Sequence, residues 1–356
     1  MRREIDYAYA VARIKAMENK LLKSGDIDAL IDTDPEMLID SLTGFGYPSN
    51  ERVSSVTSDK EEADPLSAYT GILSAFFSET VRDVMSFTPE PDVLRCFLIP
   101  ADYNNAKKCV KYLAADNAEK DRNKPDLSEN GYYSSEKLLD AFIKKDFKEL
   151  DVTLAQAGKA AFEELSQSGS SRNSDIILDK ACFEAMAKAS SSACFNTKRV
   201  MKRYLGIYAD WKNLLASMRI SASGSDPALF EKAYLPGNVA KSYYIGLIEE
   251  KTQPFAGTKY EKYVEEFLAA KQNASRDPGS IALYEQLSDA YIDGQLMKDR
   301  NEPYRINALL AYIAARKREI SVIRLIVVGK RAGISGDRIR EMIASSNFAL
   351  DFVKGL

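Results

Sequence analysis

Three acidic residues stand at near-equal intervals along the 356-residue chain: Asp102 in Asp-Tyr-Asn-Asn, Asp210 in Asp-Trp-Lys-Asn and Glu319 in Glu-Ile-Ser-Val. They lie 108 and then 109 residues apart. Carboxylates gathered at one place can perform general acid–base chemistry or hold a divalent metal, and either use needs them within a few ångströms of a common reacting position. Held apart in equivalent surroundings, they serve helix packing instead, as hydrogen-bond acceptors between helices. The spacing favours packing, because each acid sits in its own copy of a repeated layout. Asn105 and Asn213 follow the first two acids by three residues, and Val322 takes that place in the third copy.

Composition narrows the chemistry further. The chain has no His, so it can build no Ser-His-Asp triad, no Cys-His pair and no His-bearing zinc site. Cys96, Cys109, Cys182 and Cys194 are widely spaced without a Cys-x-x-Cys pair and read as small buried hydrophobes in a reducing compartment. Gly329-Lys330 lacks the surrounding phosphate-loop pattern, and nothing else calls for a cofactor. A net charge of −3 gives no general attraction to nucleic acid or anionic lipid. The first twenty residues carry charges throughout, which excludes a signal-peptide apolar core. The most apolar stretch, residues 306–329, is interrupted by Arg316, Lys317, Arg318, Glu319 and Arg324, whereas a spanning helix needs roughly twenty mostly apolar residues.

The elements that must position the acids are helical. Tyr7, Val11, Ile14 and Leu21 fall on one face of a first helix, and Asp26 is placed to cap a second one bearing Ile27, Leu30 and Ile31. Period-2 strand patterns with hairpin turns are missing. Loop signals cluster at 44–65, 115–133, 167–174 and 221–228. The second and fourth divide the chain into units 1–115, 116–225 and 226–356. Each unit holds a long helix pair whose second helix carries one acid, and each opens with an amphipathic segment: around Tyr7 to Leu22, Ser134 to Leu150 and Lys241 to Ile248.

Some single residues admit two readings. Glu18 lies on the apolar face of the first helix, so it is either paired with a neighbouring helix or turned toward a partner. Between Pro303 and Gly333 seven basic residues face the one acid Glu319, giving a net +6. That run is either a face salt-bridged to neighbouring repeats or a basic wall toward an acidic partner; without interleaved aromatics it does not read as an RNA surface. The 19 tyrosines are scattered as packing residues.

Four stretches resemble the C subunit of V-type and A-type rotary ATPases, a family related to the d subunit of the eukaryotic enzymes. They are residues 6–22, with Tyr7, Ala8, Ala12, Arg13, Glu18 and Leu22; 100–108, an Asp-x-x-Asn-x-Lys stretch; 233–247, similar to a Leu-x-Pro-Gly-Gly segment with Asn238 for the second Gly; and 318–343, with Glu319, Arg324, Gly329, Lys330, Ile339, Arg340 and Glu341. The resemblance covers the whole chain in order, and Val322 departs from it where relatives carry Asn. It implies an all-α fold of three similar helical subdomains in a pseudo-threefold funnel with a central cavity. It further implies a non-catalytic part, peripheral at the cytoplasmic face of the membrane. One end would receive central-stalk subunits equivalent to D and F, and the other would rest on the proteolipid ring that moves H⁺ or Na⁺. Arg13, Glu18, Asp102, Asn105, Asp210, Asn213, Glu319, Arg324 and Lys330 are then candidates for partner contact or for packing between repeats. The alternative is a generic helical-repeat adaptor, but its period of about 20–50 residues would be much shorter than the spacing found here.

Overall fold

The computed structural model describes residues 6–57, 64–115, 124–224, 226–251, 255–272, 279–298, 300–302 and 305–345. Among these residues there is no strand, and seventeen α-helices carry the chain. In chain order they begin with α1 (Ala8–Glu18), α2 (Ser24–Asp32), α3 (Leu38–Gly44), α4 (Asn50–Thr57), α5 (Pro65–Phe87), α6 (Pro91–Leu94) and α7 (Ile99–Ala114). Next come α8 (Ser135–Lys144), α9 (Val152–Ser168), α10 (Ser171–Ala189) and α11 (Phe195–Ser223). The last stretch holds α12 (Ala228–Ala233), α13 (Lys241–Ile248), α14 (Glu261–Gln272), α15 (Gly279–Met297), α16 (Asn307–Arg331) and α17 (Gly336–Ser345). The fold class read from periodicity, all-α, is the one observed. The divisions at 115/116 and 225/226 fall beside residues 116–123 and 225, which lie outside the described residues.

Local chemistry sets these helices. The Asp64 side chain accepts from the Leu66 N–H and Pro65 occupies the first turn of α5, where its missing N–H costs nothing. Tyr69, Ile72, Leu73, Phe77, Val81 and Val84 then bury one stripe of that helix. Ser134, Asp151 and Ser170 cap α8, α9 and α10 in the same way. Gly169 and Gly224 end α9 and α11 with the positive φ that glycine adopts freely, and Gly333 follows α16 likewise.

Four details differ from the sequence reading. Leu21 is buried but lies beyond α1, which stops at Glu18. Asp26 is not the cap residue of α2. It sits in the third helical position, and its carboxylate reaches back to the Lys23 N–H at 2.8 Å. The polar stretch 44–65 contains the short helix α4, which packs on α5 through buried Val53. Cys96, Cys109 and Cys182 are buried, but Cys194 is only half-buried.

Packing crosses the sequence repeats. α7 packs against α8, α9 and α10, the helices that follow it, and α11 packs against α12, α13 and α15. α16 packs against its partner α15 and also against α1, α2 and α5, so the end of the chain lies on its beginning. This explains why Ala308 to Ala315 are buried without a break: α16 is surrounded, and no solvated face is left in its first turns. Trp211, fully buried on α11, packs its indole against Tyr260, Tyr263 and Tyr291 with ring centroids 5.1–5.6 Å away. Trp211→Ala is expected to cost about 3–5 kcal/mol, read as a lowered urea midpoint by circular dichroism.

Candidate functional site at three buried carboxylates

Asp102, Asp210 and Glu319 are 2%, 0% and 3% exposed, and a carboxylate this deep must find donors. Asp102 on α7 accepts from the Tyr132 and Tyr133 N–H groups, both at 3.1 Å. Asp210 on α11 accepts from the Asn238 N–H at 2.7 Å and the Val239 N–H at 3.0 Å. Glu319 on α16 accepts from the Leu22 N–H at 2.7 Å. The donors Tyr133, Val239 and Leu22 each stand two residues before the helix that follows, α8, α13 and α2 respectively. A negative charge just ahead of a helix start also suits the positive end of its dipole. The counterpart of α8 and α13 is therefore α2, and the opening segment read at Tyr7 to Leu22 precedes it.

The asparagines complete two of these junctions. Asn105 exchanges two hydrogen bonds with the backbone of Ser128, at 2.8 and 2.9 Å, and Asn213 does the same with Leu235 at 2.7 and 2.9 Å. An amide that both donates to a carbonyl and accepts from an N–H imitates a strand edge and locks the loop in one register. At the first junction Arg82 holds the same loop through the carbonyls of Gly131 and Tyr132. At the second, the Asn238 amide and the Tyr260 hydroxyl each donate to Asp210 at 3.0 Å. Gly206 gives the Asn238 side chain its space: a Cβ there would stand 2.6 Å from the amide nitrogen.

The third junction lacks the asparagine, and Val322 is fully buried in its place. Glu319 instead pairs with Arg316 at 2.8 Å, and Arg316 donates to the hydroxyls of Tyr47 at 3.1 Å and Tyr312 at 3.3 Å. Burial pushes the Glu319 carboxyl upward, and the Arg316 charge and the Leu22 N–H draw it back.

The three acids share no partner, so the structure does not gather them into one carboxylate cluster. Among the described residues no group of three His, Cys, Asp or Glu side chains could hold a metal. The remaining candidates are also engaged within the chain. Arg13 lies 3.1 Å from Asp83 and 4.2 Å over the Phe87 ring, with a side chain 41% exposed. Glu18 pairs with Lys15 of its own helix at 2.8 Å, not with a neighbouring helix. Arg324 donates to Ser74 at 2.9 Å, and Lys330 donates to the Thr33 carbonyl.

Sequence reasoning missed Glu90, Tyr47 and the glycines at the junctions. Glu90 accepts from Tyr7 before α1 and from Thr197 and the Cys194 N–H at the start of α11, tying three segments together. Burial acts to raise its carboxyl, but the bonds from Thr197, Tyr7 and Cys194 outweigh that and hold it below the usual range. No periodicity marks such a residue, since it stands between helices. The glycines had a signal: Gly131 and Gly237 each precede a donor residue in a turn-rich stretch. A Cβ on them would stand 2.2 Å from an Asp102 oxygen and 2.3 Å from an Asp210 oxygen.

Comparison with known proteins places this architecture. A family model described as ATP synthase (C/AC39) subunit matches residues 10–342. The chain is 20% identical to the C subunit of the A-type ATP synthase of Haloquadratum walsbyi, over 94% of this chain and 96% of that one. It is 22% identical to the proteins of the same name from Methanosarcina acetivorans, covering 95% and 92%, and Thermococcus kodakarensis, covering 95% and 90%.

Two outcomes are expected. Gly131→Ala and Gly237→Ala should each cost about 1–3 kcal/mol, while Gly71→Ala, in an open helical position, should be neutral or stabilising by up to about 1 kcal/mol; urea unfolding compares the three. Burial, opposed by the Tyr133 and Tyr132 N–H groups, pushes the Asp102 carboxyl from 3.8 up to about 7. The folded chain thus keeps a proton that the unfolded chain releases. The stability this contributes is full below about pH 4 and is lost as pH rises toward about 7. Asp102→Asn should flatten that fall in an unfolding series across this window, leaving the shares due to Asp293, whose carboxyl burial lifts to about 6, and to Glu319, which burial also raises.

Proposed function

This chain belongs to the ATP synthase (C/AC39) subunit family, and we propose that it is the non-catalytic coupling part of a V/A-type rotary ATPase. In this reading three helical units, 1–115, 116–225 and 226–356, stand around a pseudo-threefold axis and leave a central cavity. The central-stalk subunits equivalent to D and F seat in its mouth, and the opposite end rests on the proteolipid ring at the cytoplasmic face of the membrane. ATP-driven rotation of the stalk passes through this body to the ring, which carries H⁺ or Na⁺, and the reverse path serves ATP synthesis. No helix among the described residues is long and apolar enough to cross a membrane, which suits a part that leans on the ring from outside.

The observation that carries this reading is the third carboxylate junction. Glu319 binds the backbone of Leu22 across 297 residues of sequence, in the way Asp102 and Asp210 bind the loops that follow them. Three like junctions that run from unit to unit and return to the first describe a cycle. An open solenoid would leave its first and last repeats apart, so the adaptor alternative has no support from this contact. A closed body of packed helices is stiff, because close-packed interiors resist compression, and stiffness is what torque transfer needs. None of the three acids has to react for this purpose.

Reconstitution tests the proposal. A head-plus-stalk complex lacking this chain should still hydrolyse ATP but lose ATP-driven ion pumping through the ring, and adding the chain back should restore pumping. Ion pumping unchanged in its absence would overturn the coupling role.

A further inference from the structure

The loop at the first junction carries a dipeptide with chemistry of its own. Asn130-Gly131 is the one Asn-Gly pair in the sequence. Asparagine is a thermolabile residue, because the backbone nitrogen of the next residue can attack its side-chain carbonyl carbon. Glycine leaves that nitrogen most open, since it has no Cβ to stand in the way and turns freely. The fold in turn fixes the glycine: a Cβ on Gly131 would stand 2.2 Å from an Asp102 oxygen. The Asp102 junction thus keeps a reactive pair in place.

The surroundings of the pair favour the reaction. Ser128 Oγ donates to Asn130 Oδ1 at 2.6 Å. There it draws electrons from Cγ and supports the negative charge that the oxygen gains on attack. Among the described residues the Gly131 N–H and Asn130 Nδ2 donate no hydrogen bond, so neither nucleophile nor leaving group is tied up. Asn130 is half-buried and within reach of water. Asn173-Ser174 offers the contrast. It lies in α10, where Asn173 Nδ2 donates to Glu164 at 2.9 Å and the Ser174 N–H donates to the Ser170 carbonyl at 3.2 Å.

We propose that Asn130 is a site of spontaneous deamidation, assisted by the Ser128 hydroxyl, whose isoaspartyl product unlocks the first junction. The Gly131 nitrogen gives its proton to solvent and bonds to Asn130 Cγ. The Cγ–Nδ2 bond breaks, and the amide nitrogen takes up a proton and leaves as ammonia. Water then opens the cyclic imide. Cleavage at Cγ leaves aspartate, and cleavage at the backbone carbonyl carbon routes the chain through Cγ as isoaspartate. Water is consumed and ammonia released, with no change of oxidation state. Isoaspartate adds a methylene to the main chain, about 1.5 Å of path. The loop is clamped on both sides of it: Asn105 holds Ser128 at 2.8 and 2.9 Å, and Asp102 holds Tyr132 and Tyr133 at 3.1 Å. One clamp must open, which leaves Asn105 or Asp102 short of its partners. This chemistry is the chain's own and is independent of the coupling role.

The test incubates the folded, full chain at mildly alkaline pH and follows each asparagine by peptide mapping and mass spectrometry. Labelling by isoaspartyl methyltransferase marks the isoaspartyl form. Asn130 should convert faster than Asn173, and most of its product should take the label. Ser128→Ala keeps the backbone bonds to Asn105; checked for folding by circular dichroism, it should slow conversion several-fold in the folded chain and leave the rate in urea unchanged. The urea midpoint should fall in step with the labelled fraction, whereas Asn130→Ser, incubated alongside, should hold its midpoint. The proposal is overturned if Asn130 stays intact, if Asn173 converts as fast, or if folded Ser128→Ala deamidates at the parent rate. An isoaspartyl chain that unfolds at the same urea concentration as fresh protein would overturn the unlocking.

Discussion

A carboxylate taken out of water must recover its lost hydration as hydrogen bonds, and this constraint organises the molecule. Asp102, Asp210 and Glu319 each sit within a long helix at almost complete burial. The donors that meet them are backbone N–H groups in the approach to the next helix. Those loop groups would themselves be orphaned if buried alone. One contact therefore satisfies two demands, and it does so only when the loop and the helix it leads into are docked in the right orientation. The acids act as registration points between α7, α11 and α16 and the loops they bind, and the apolar packing of these helices supplies the bulk of the cohesion.

This division of labour explains what sequence could and could not reveal. Apolar periodicity marked the long helices, since α5, α11 and α16 bury stripes or whole turns that no loop would carry. The equal spacing of the acids marked them as equivalent, and their separate sets of donors bear out the reading against a shared cluster. The identity of the donors was not legible, because a backbone N–H has no side-chain signature and any residue supplies one: Tyr, Val and Leu do so here. Glu90 was hidden for a related reason, as its partners Tyr7 and Thr197 lie 83 and 107 residues away. The basic run at 303–333 admitted two readings, and its ion pairs favour the salt-bridged one. Arg316 and Lys317 are engaged by internal acids, whose positions only the folded arrangement shows.

Departures between the copies also have physical reasons. Asn238 stands where the resembling segment has glycine, and its amide becomes a further donor to Asp210 in space that Gly206 leaves open. The first two junctions use an asparagine to fix the loop by a pair of backbone bonds. The third drops it for Val322 and gains a buried ion pair that reaches Tyr47 and Tyr312. Removing either member of such a pair would strand the other as an uncompensated buried charge.

Chain connectivity sets the third junction apart. Asp102 and Tyr132 are 30 residues apart in sequence, whereas Glu319 and Leu22 are separated by 297. Closing a loop about ten times longer costs roughly 2 kcal/mol more in chain entropy. That figure is an upper bound, since the first two junctions, once formed, shorten the effective loop. Hydrogen bonds to charged groups contribute about 1.5–3 kcal/mol each, against roughly 1 for neutral ones. Either arrangement, the two neutral bonds of an asparagine or the charge-assisted Arg316–Glu319 contact, is of the size of that entropy difference. The junction formed across the longest stretch of sequence is also the one where a guanidinium takes the place of the asparagine.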